Sequence, residues 1–152
     1  LTFRRPQLAR IAAFIESIGI TVHATVITHA TLVPGVDIRD GALLVDEEQL
    51  LRDPDIIHEA GHLAITPRAQ RQDLYGKISS TPADEVTTIA WTWAAALHLG
   101  IAPEEVFHEL VISGNGPTLR ENFENGYYVG VPMLQRWGMT KAYPVMLRWT
   151  RD

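Results

Sequence analysis

The sequence predicts an α+β fold in one domain, on three observations. Helix and strand signals are segregated along the chain: one helix, about three strands, then helices to the end. The length of 152 residues matches a single domain. An apolar fraction of 46% with 20% charged residues is enough for a core and too apolar for a disordered chain.

Each element has a local reason. Pro6 opens a helix over 7–18, where Leu8, Ile11, Ala12, Ile15 and Ile18 recur at helical spacing before Gly19 stops it. Residues 20–27 alternate, with Ile20, Val22, Ala24 and Val26 on one face and Thr21, His23 and Thr25 on the other, as in a half-buried strand. Two more strands are expected at 31–36 and 42–46, the second preceded by the hairpin signal Asp40-Gly41. Asp53 as N-cap and Pro54 in the first turn start a helix over 54–65 that stops before Pro67. Residues 66–81 read as a polar connection carrying Arg68, Arg71, Gly76 and Lys77. Thr81-Pro82-Ala83-Asp84 opens a helix that runs to Leu99 and is closed by Gly100. Pro103-Glu104-Glu105 opens a fourth, its acids favourable to the helix dipole. Residues 113–117 are a loop, and short helices are expected at 118–124, 131–137 and 143–149.

Composition removes several function classes. The chain has no cysteine, which excludes disulfides, thiolate catalysis and iron–sulfur clusters, so any metal must be held by His, Asp or Glu. A net charge of −5 is a poor match to the phosphate backbone, so no nucleic-acid partner is expected. No apolar run approaches the ~18 residues of a membrane span, and no signal-peptide pattern is visible, so no membrane association and a cytoplasmic location are expected.

The chemistry concentrates in His58-Glu59-Ala60-Gly61-His62. Residues four apart on a helix share a face, with Cβ atoms ~5–6 Å apart, so the imidazoles of His58 and His62 can reach one ion. Glu59 projects beside them, where it can take a proton from a metal-bound water. Six His and ten Glu shuffled over 152 positions give this pattern about 0.015 times, so chance is a weak explanation. The helix is otherwise apolar (Ile56, Ile57, Ala60, Leu63, Ala64, Ile65), and polar side chains there need partners that a metal supplies.

A catalytic zinc takes three protein ligands and keeps one open position. Asp84 and Glu85 compete for the third place. Asp84 falls at N3 after the Thr81 cap and so has a structural role. Glu85 heads a stripe with Ile89, Trp93 and Ala96, costly for a carboxylate without a partner, and is the expected third ligand. Glu104 and Glu105 are explained as first-turn acids, and His98 as a last-turn His before Gly100. His108 and Glu109 read as a half-exposed helix face, His23 as part of a polar strand face, and His29 as a loop residue.

On His58–His62 with Glu85 downstream, residues 20–99 resemble a small gluzincin-type zinc metallopeptidase. The resemblance implies a zincin-like fold: a small, mostly antiparallel or mixed sheet packed on the HExxH helix, then a mainly helical C-terminal part. It also implies one zinc per chain on His58, His62 and Glu85, with Glu59 as general base. In that superfamily a strand upstream of the active-site helix offers its edge to extended peptides, a place that 42–46 would fill by strand addition. The chain is also similar to the ImmA/IrrE-type regulators in size, in the motif and in Trp93-Ala94-Ala95-Ala96-Leu97, although Glu85 comes about a turn earlier than in that pattern. It shares His-Glu-Ala-Gly-His with AAA-type metallopeptidases but has no ATPase region.

The expected activity is therefore zinc-dependent hydrolysis of peptide or amide bonds in a peptide or protein substrate. The alternative is a non-catalytic or self-inhibited regulatory module with a structural metal. Arg120, Tyr127 and Tyr128 are donors of the type that stabilises an oxyanion. The aromatic tail (Trp137, Tyr143, Pro144, Trp149) reads as cleft cover, as core, or as a homo-oligomer contact.

Overall fold

A computed structural model describes residues 3–76, 81–108 and 116–152. The order is α1 (Pro6–Ser17), β1 (Val22–Ala24), β2 (Val36–Arg39), β3 (Ala42–Val45), α2 (Asp55–Ile65), α3 (Arg68–Arg71), α4 (Pro82–Leu99), α5 (Pro103–Val106), α6 (Gly116–Glu124), α7 (Val131–Arg136), β4 (Thr140–Ala142) and β5 (Val145–Met146). This is an α+β architecture with a three-stranded mixed sheet in the order β1-β3-β2. β1 runs parallel to β3, with Val22 opposite Leu43, and β2 runs antiparallel, with Val36 opposite Val45.

The β2–β3 hairpin forms at Asp40-Gly41, where both residues have positive φ (53° and 73°), the two-residue turn whose twist matches the strands. The Gly41 backbone also meets α3: a Cβ there would lie 2.6 Å from the Arg71 carbonyl. Residues 31–36 do not form the expected strand. The chain turns through Pro34-Gly35, Val36 N–H bonds the Val33 carbonyl, and pairing starts only at Val36. The strand expected at 20–27 is confined to Val22–Ala24. Asp46 draws the chain away beyond it by accepting from Ile27 N–H at 2.9 Å and from the Gln49 amide at 2.7 Å. These bonds hold the Asp46 carboxyl below the usual carboxylate range. Ala24 and Val26, expected to face the core, are exposed.

β3 is the central strand, so it has no free edge to offer a peptide; the edges are β1 and β2. The expectation of strand addition at 42–46 fails because both of its sides are already paired.

α2 starts at Asp55 without a side-chain cap. Asp53 is not the N-cap; its carboxylate pairs with Arg5 Nε at 3.0 Å. The C-terminal end of α2 is capped by cations, as its dipole favours. The Arg71 guanidinium donates to the carbonyls of Leu63 and Thr66 and that of Arg151 to Ile65, while the Arg151 backbone N–H donates to Ala64. α4 is as expected, with Thr81 Oγ1 accepting from Asp84 N–H and Gly100 closing the helix.

Residues 143–149 form no helix. β4 and β5 make a hairpin about a cis Tyr143–Pro144 bond, and Thr140 Oγ1 bonds the Val145 carbonyl. A residue before proline is biased away from the α region, which disfavours the helix. Of the three readings of the tail, the packing supports core. Trp149 stacks edge-on against Phe14 and Trp91, its carbonyl accepts from Trp91 Nε1 at 2.8 Å, and Tyr143 Oη bonds the Ala90 carbonyl. Among the described residues, no helix is long and apolar enough to cross a membrane.

The core centres on α2 against α4. Their contact passes over Gly61, where a Cβ would come 3.0 Å from both Thr88 Cγ2 and Trp91 Cε3. The two helices approach closely because residue 61 has no side chain, and that approach sets the site.

Candidate metal centre

His58 and His62 occupy successive turns of α2 and face α4, 2% and 9% exposed. Their rings stand nearly perpendicular, with centroids 4.8 Å apart. Glu85 enters from the first turn of α4. One carboxylate oxygen is 3.2 Å from His58 Nε2 and the other 3.5 Å from His62 Nε2. One ligand atom from each of the three residues falls within 4.8 Å of the others. Ligand atoms around a tetrahedral zinc, each ~2.0–2.1 Å from the ion, are separated by about 3.3 Å. The two Glu85–His distances, one from each carboxylate oxygen, are close to that edge, and with all three ligand atoms within 4.8 Å the residues are near enough to share one ion.

Electrostatics agree. Burial pushes the His62 imidazole down to about 4, with His58 adding to the effect and Glu85 and Asp84 opposing it. His62 is therefore neutral at pH 7, the form that coordinates a metal. Glu59 is half-buried beside the pair. Burial raises its carboxyl; His58 counters this, while the charges of Glu85 and Asp37 add to it. A raised carboxyl suits a general base working near neutrality.

Sequence reasoning placed Glu85 in a core stripe. Its side chain is 39% exposed, at the mouth of the site, because it lies in the first turn where α4 emerges. Asp84 stays in its capping position, and the His58–His62–Glu85 group does not include it. Glu104 and Glu105 line a separate surface cavity with Arg5, Arg52 and Asp53. His98 packs against Phe14 and Trp149, as a structural His should. His23 is exposed. Glu109, Lys77 and residues 113–115 lie outside the described residues.

Of the proposed oxyanion donors, Tyr127 is largely exposed and Tyr128 packs on Phe123 and Tyr143. Their segment does reach α4: a Cβ on Gly130 would lie 2.1 Å from the Val86 carbonyl, one residue from Glu85. Arg120 pairs with Glu124 at 3.7 Å.

Four features were missed. His108, expected on a bland face, bonds the fully buried Asp55 at 2.7 Å, one turn before His58 on the same stripe of α2. His29 pairs with Asp37 at 2.6 Å, the β2 residue whose charge acts on Glu59. The outward backbone of β2 is engaged by the chain itself: Ile38 N–H donates to Asp37 Oδ1, and the Ile38 carbonyl accepts from Gly76 N–H at 2.7 Å. Thr88 and Thr92 lie behind the imidazoles, with Oγ1 3.3 Å from His62 Nδ1 and 3.4 Å from His58 Nδ1. The only signal for the threonines was their interruption of an apolar helix three and seven residues after Glu85, four apart from each other.

In comparisons with known proteins, no family model, no curated protein and no solved structure matches this chain.

Proposed function

We propose that the chain is a zincin-like metallohydrolase that cleaves peptide or amide bonds, holding one zinc ion on His58, His62 and Glu85. The observation that carries this reading is the convergence of two imidazole nitrogens and a carboxylate on one point, with Glu59 on the adjoining helix position. Zinc bound there supplies Lewis acidity, which acidifies water and polarises a carbonyl. His58 and His62 hold the ion from a rigid, buried helix, and Glu85 closes the set from α4. Glu59 accepts the proton of the attacking water at its carboxylate and delivers it to the leaving amine. Burial raises the Glu59 proton affinity, and the charges of Glu85 and Asp37 add to it, the direction that suits a group which takes up a proton and then delivers it.

A second reading, a self-inhibited or non-catalytic module, has one observation in its favour: the backbone of edge strand β2 near Glu59 is already bonded by Asp37 and Gly76. The Glu59→Gln variant separates the two. The enzyme reading predicts that it binds zinc with wild-type stoichiometry and loses hydrolysis of a peptide library by ~100-fold or more. Wild-type protein that is loaded with zinc and cleaves nothing, together with full biological function in Glu59→Gln, favours the module.

A further inference from the structure

We infer that Thr88 and Thr92 are positioning residues that lock His62 and His58 in the Nδ1–H tautomer, turning both Nε2 lone pairs toward Glu85. The inference rests on the metal reading of this site for its purpose, though not for its geometry.

A threonine hydroxyl has one proton. Thr88 Oγ1 lies 2.9 Å from the Asp84 carbonyl, and Thr92 Oγ1 lies 2.8 Å from the Thr88 carbonyl. The carbonyls, at 2.8–2.9 Å, are nearer acceptors than Nδ1 at 3.3–3.4 Å, so the geometry gives each hydroxyl proton to the helix backbone four residues back. What each oxygen has left is a lone pair, and it faces an imidazole Nδ1. That contact is a hydrogen bond only if Nδ1 carries the proton. In a neutral ring, Nε2 is then the unprotonated nitrogen.

The consequence lies on the other side of the rings. In that tautomer two Nε2 lone pairs and a carboxylate, 3.2 and 3.5 Å apart, face one another with no proton between them. Such an arrangement is completed by a cation. With the opposite tautomer, Nε2–H would bond Glu85 directly and the three side chains would satisfy one another without an ion. The threonines thus decide between a metal site and a closed polar cluster. Gly61 is part of the device, because its missing Cβ lets the Thr88 methyl sit 3.0 Å from the place a Cβ would take. The usual partner behind a metal-binding His is a carboxylate or backbone carbonyl; here a helix carbonyl acts through a hydroxyl.

The test is the His tautomer in metal-free protein, read by long-range nitrogen–proton NMR, together with zinc affinity by competition against a chelator. Wild-type protein should show Nδ1–H for both rings. Thr88→Val and Thr92→Val should each shift the adjacent ring toward Nε2–H and weaken zinc binding ~10–100-fold. Thr88→Ser and Thr92→Ser, which keep the hydroxyl, should stay close to wild type. Nε2–H tautomers in wild-type protein overturn the inference, as do folded Val variants with unchanged tautomer and affinity. If wild-type protein takes up no zinc but shows Nδ1–H, the metal reading falls while the tautomer lock stands.

Discussion

Gly61→Ala tests the helix contact that builds the site. On helix propensity alone the change stabilises by ~1 kcal/mol, because glycine is that much worse than alanine inside a helix. The packing opposes it. The new Cβ would meet Thr88 Cγ2 and Trp91 Cε3 at 3.0 Å and Thr92 Oγ1 at 3.4 Å. None of the three can step back freely. Trp91 is fully buried and tied through Nε1 to the Trp149 carbonyl, and both threonines are buried and bonded to their own helix. Overpacking of this kind costs ~1–3 kcal/mol, so the net effect is a loss of about 1 kcal/mol. For a chain of this length that lowers Tm by ~2–4 °C. The same displacement moves Glu85, Thr88 and Thr92 together, since all three ride on α4, so zinc affinity should fall as well. Thermal unfolding of metal-free protein and a zinc titration read the two effects separately. A Tm that rises by ~2–4 °C with unchanged zinc affinity would refute the account, because it would mean that the helices are not in tight contact at residue 61.

Two other perturbations act on the site directly. Glu85→Ala removes one of three ligands at a half-exposed position; it should leave Tm of the metal-free protein within ~2 °C and weaken zinc binding by ~100-fold or more, measured by chelator competition, if a third of a typical ~10–16 kcal/mol binding energy is lost. Metal-free protein should also lose stability on acidification between pH 6.5 and about 4: His62 is held neutral in the folded state down to about 4, whereas the unfolded chain takes up the proton near 6.5. The contribution is intact above pH 6.5, amounts to at most about 3 kcal/mol, and should vanish from urea unfolding curves of His62→Gln.

The two ligand-bearing helices were legible because each carries its own boundary signals and an i, i+4 pattern that can be read locally. The caps of α4, Thr81 and Gly100, are found where the sequence puts them. His58, His62 and Glu85 do come together, since a helix fixes the first two and a first-turn carboxylate on the next long helix is well placed for the third. What failed was non-local. Asp53 reads as a cap until Arg5, 48 positions earlier, takes it. The central place of β3 depends on β1 pairing in parallel across the intervening chain, which alternation cannot announce. Asp55 and His108 are 53 residues apart, and their pairing follows from packing α5 near the start of α2. Thr88 and Thr92 looked like polar breaks in an apolar helix; their role depends on imidazoles on another helix. The aromatic tail was ambiguous by composition alone; Trp137, Tyr143 and Trp149 lie half-buried against the core, contacts that no local pattern announces.

The most direct test of the metal centre is zinc content per chain, measured by elemental analysis on protein stripped of metal, offered zinc and freed of excess. The account predicts one zinc per chain in wild type and in Glu59→Gln, with most of it lost in Glu85→Ala. Wild-type protein that retains no zinc after loading would contradict the account, leaving His58, His62 and Glu85 as a polar cluster between two helices.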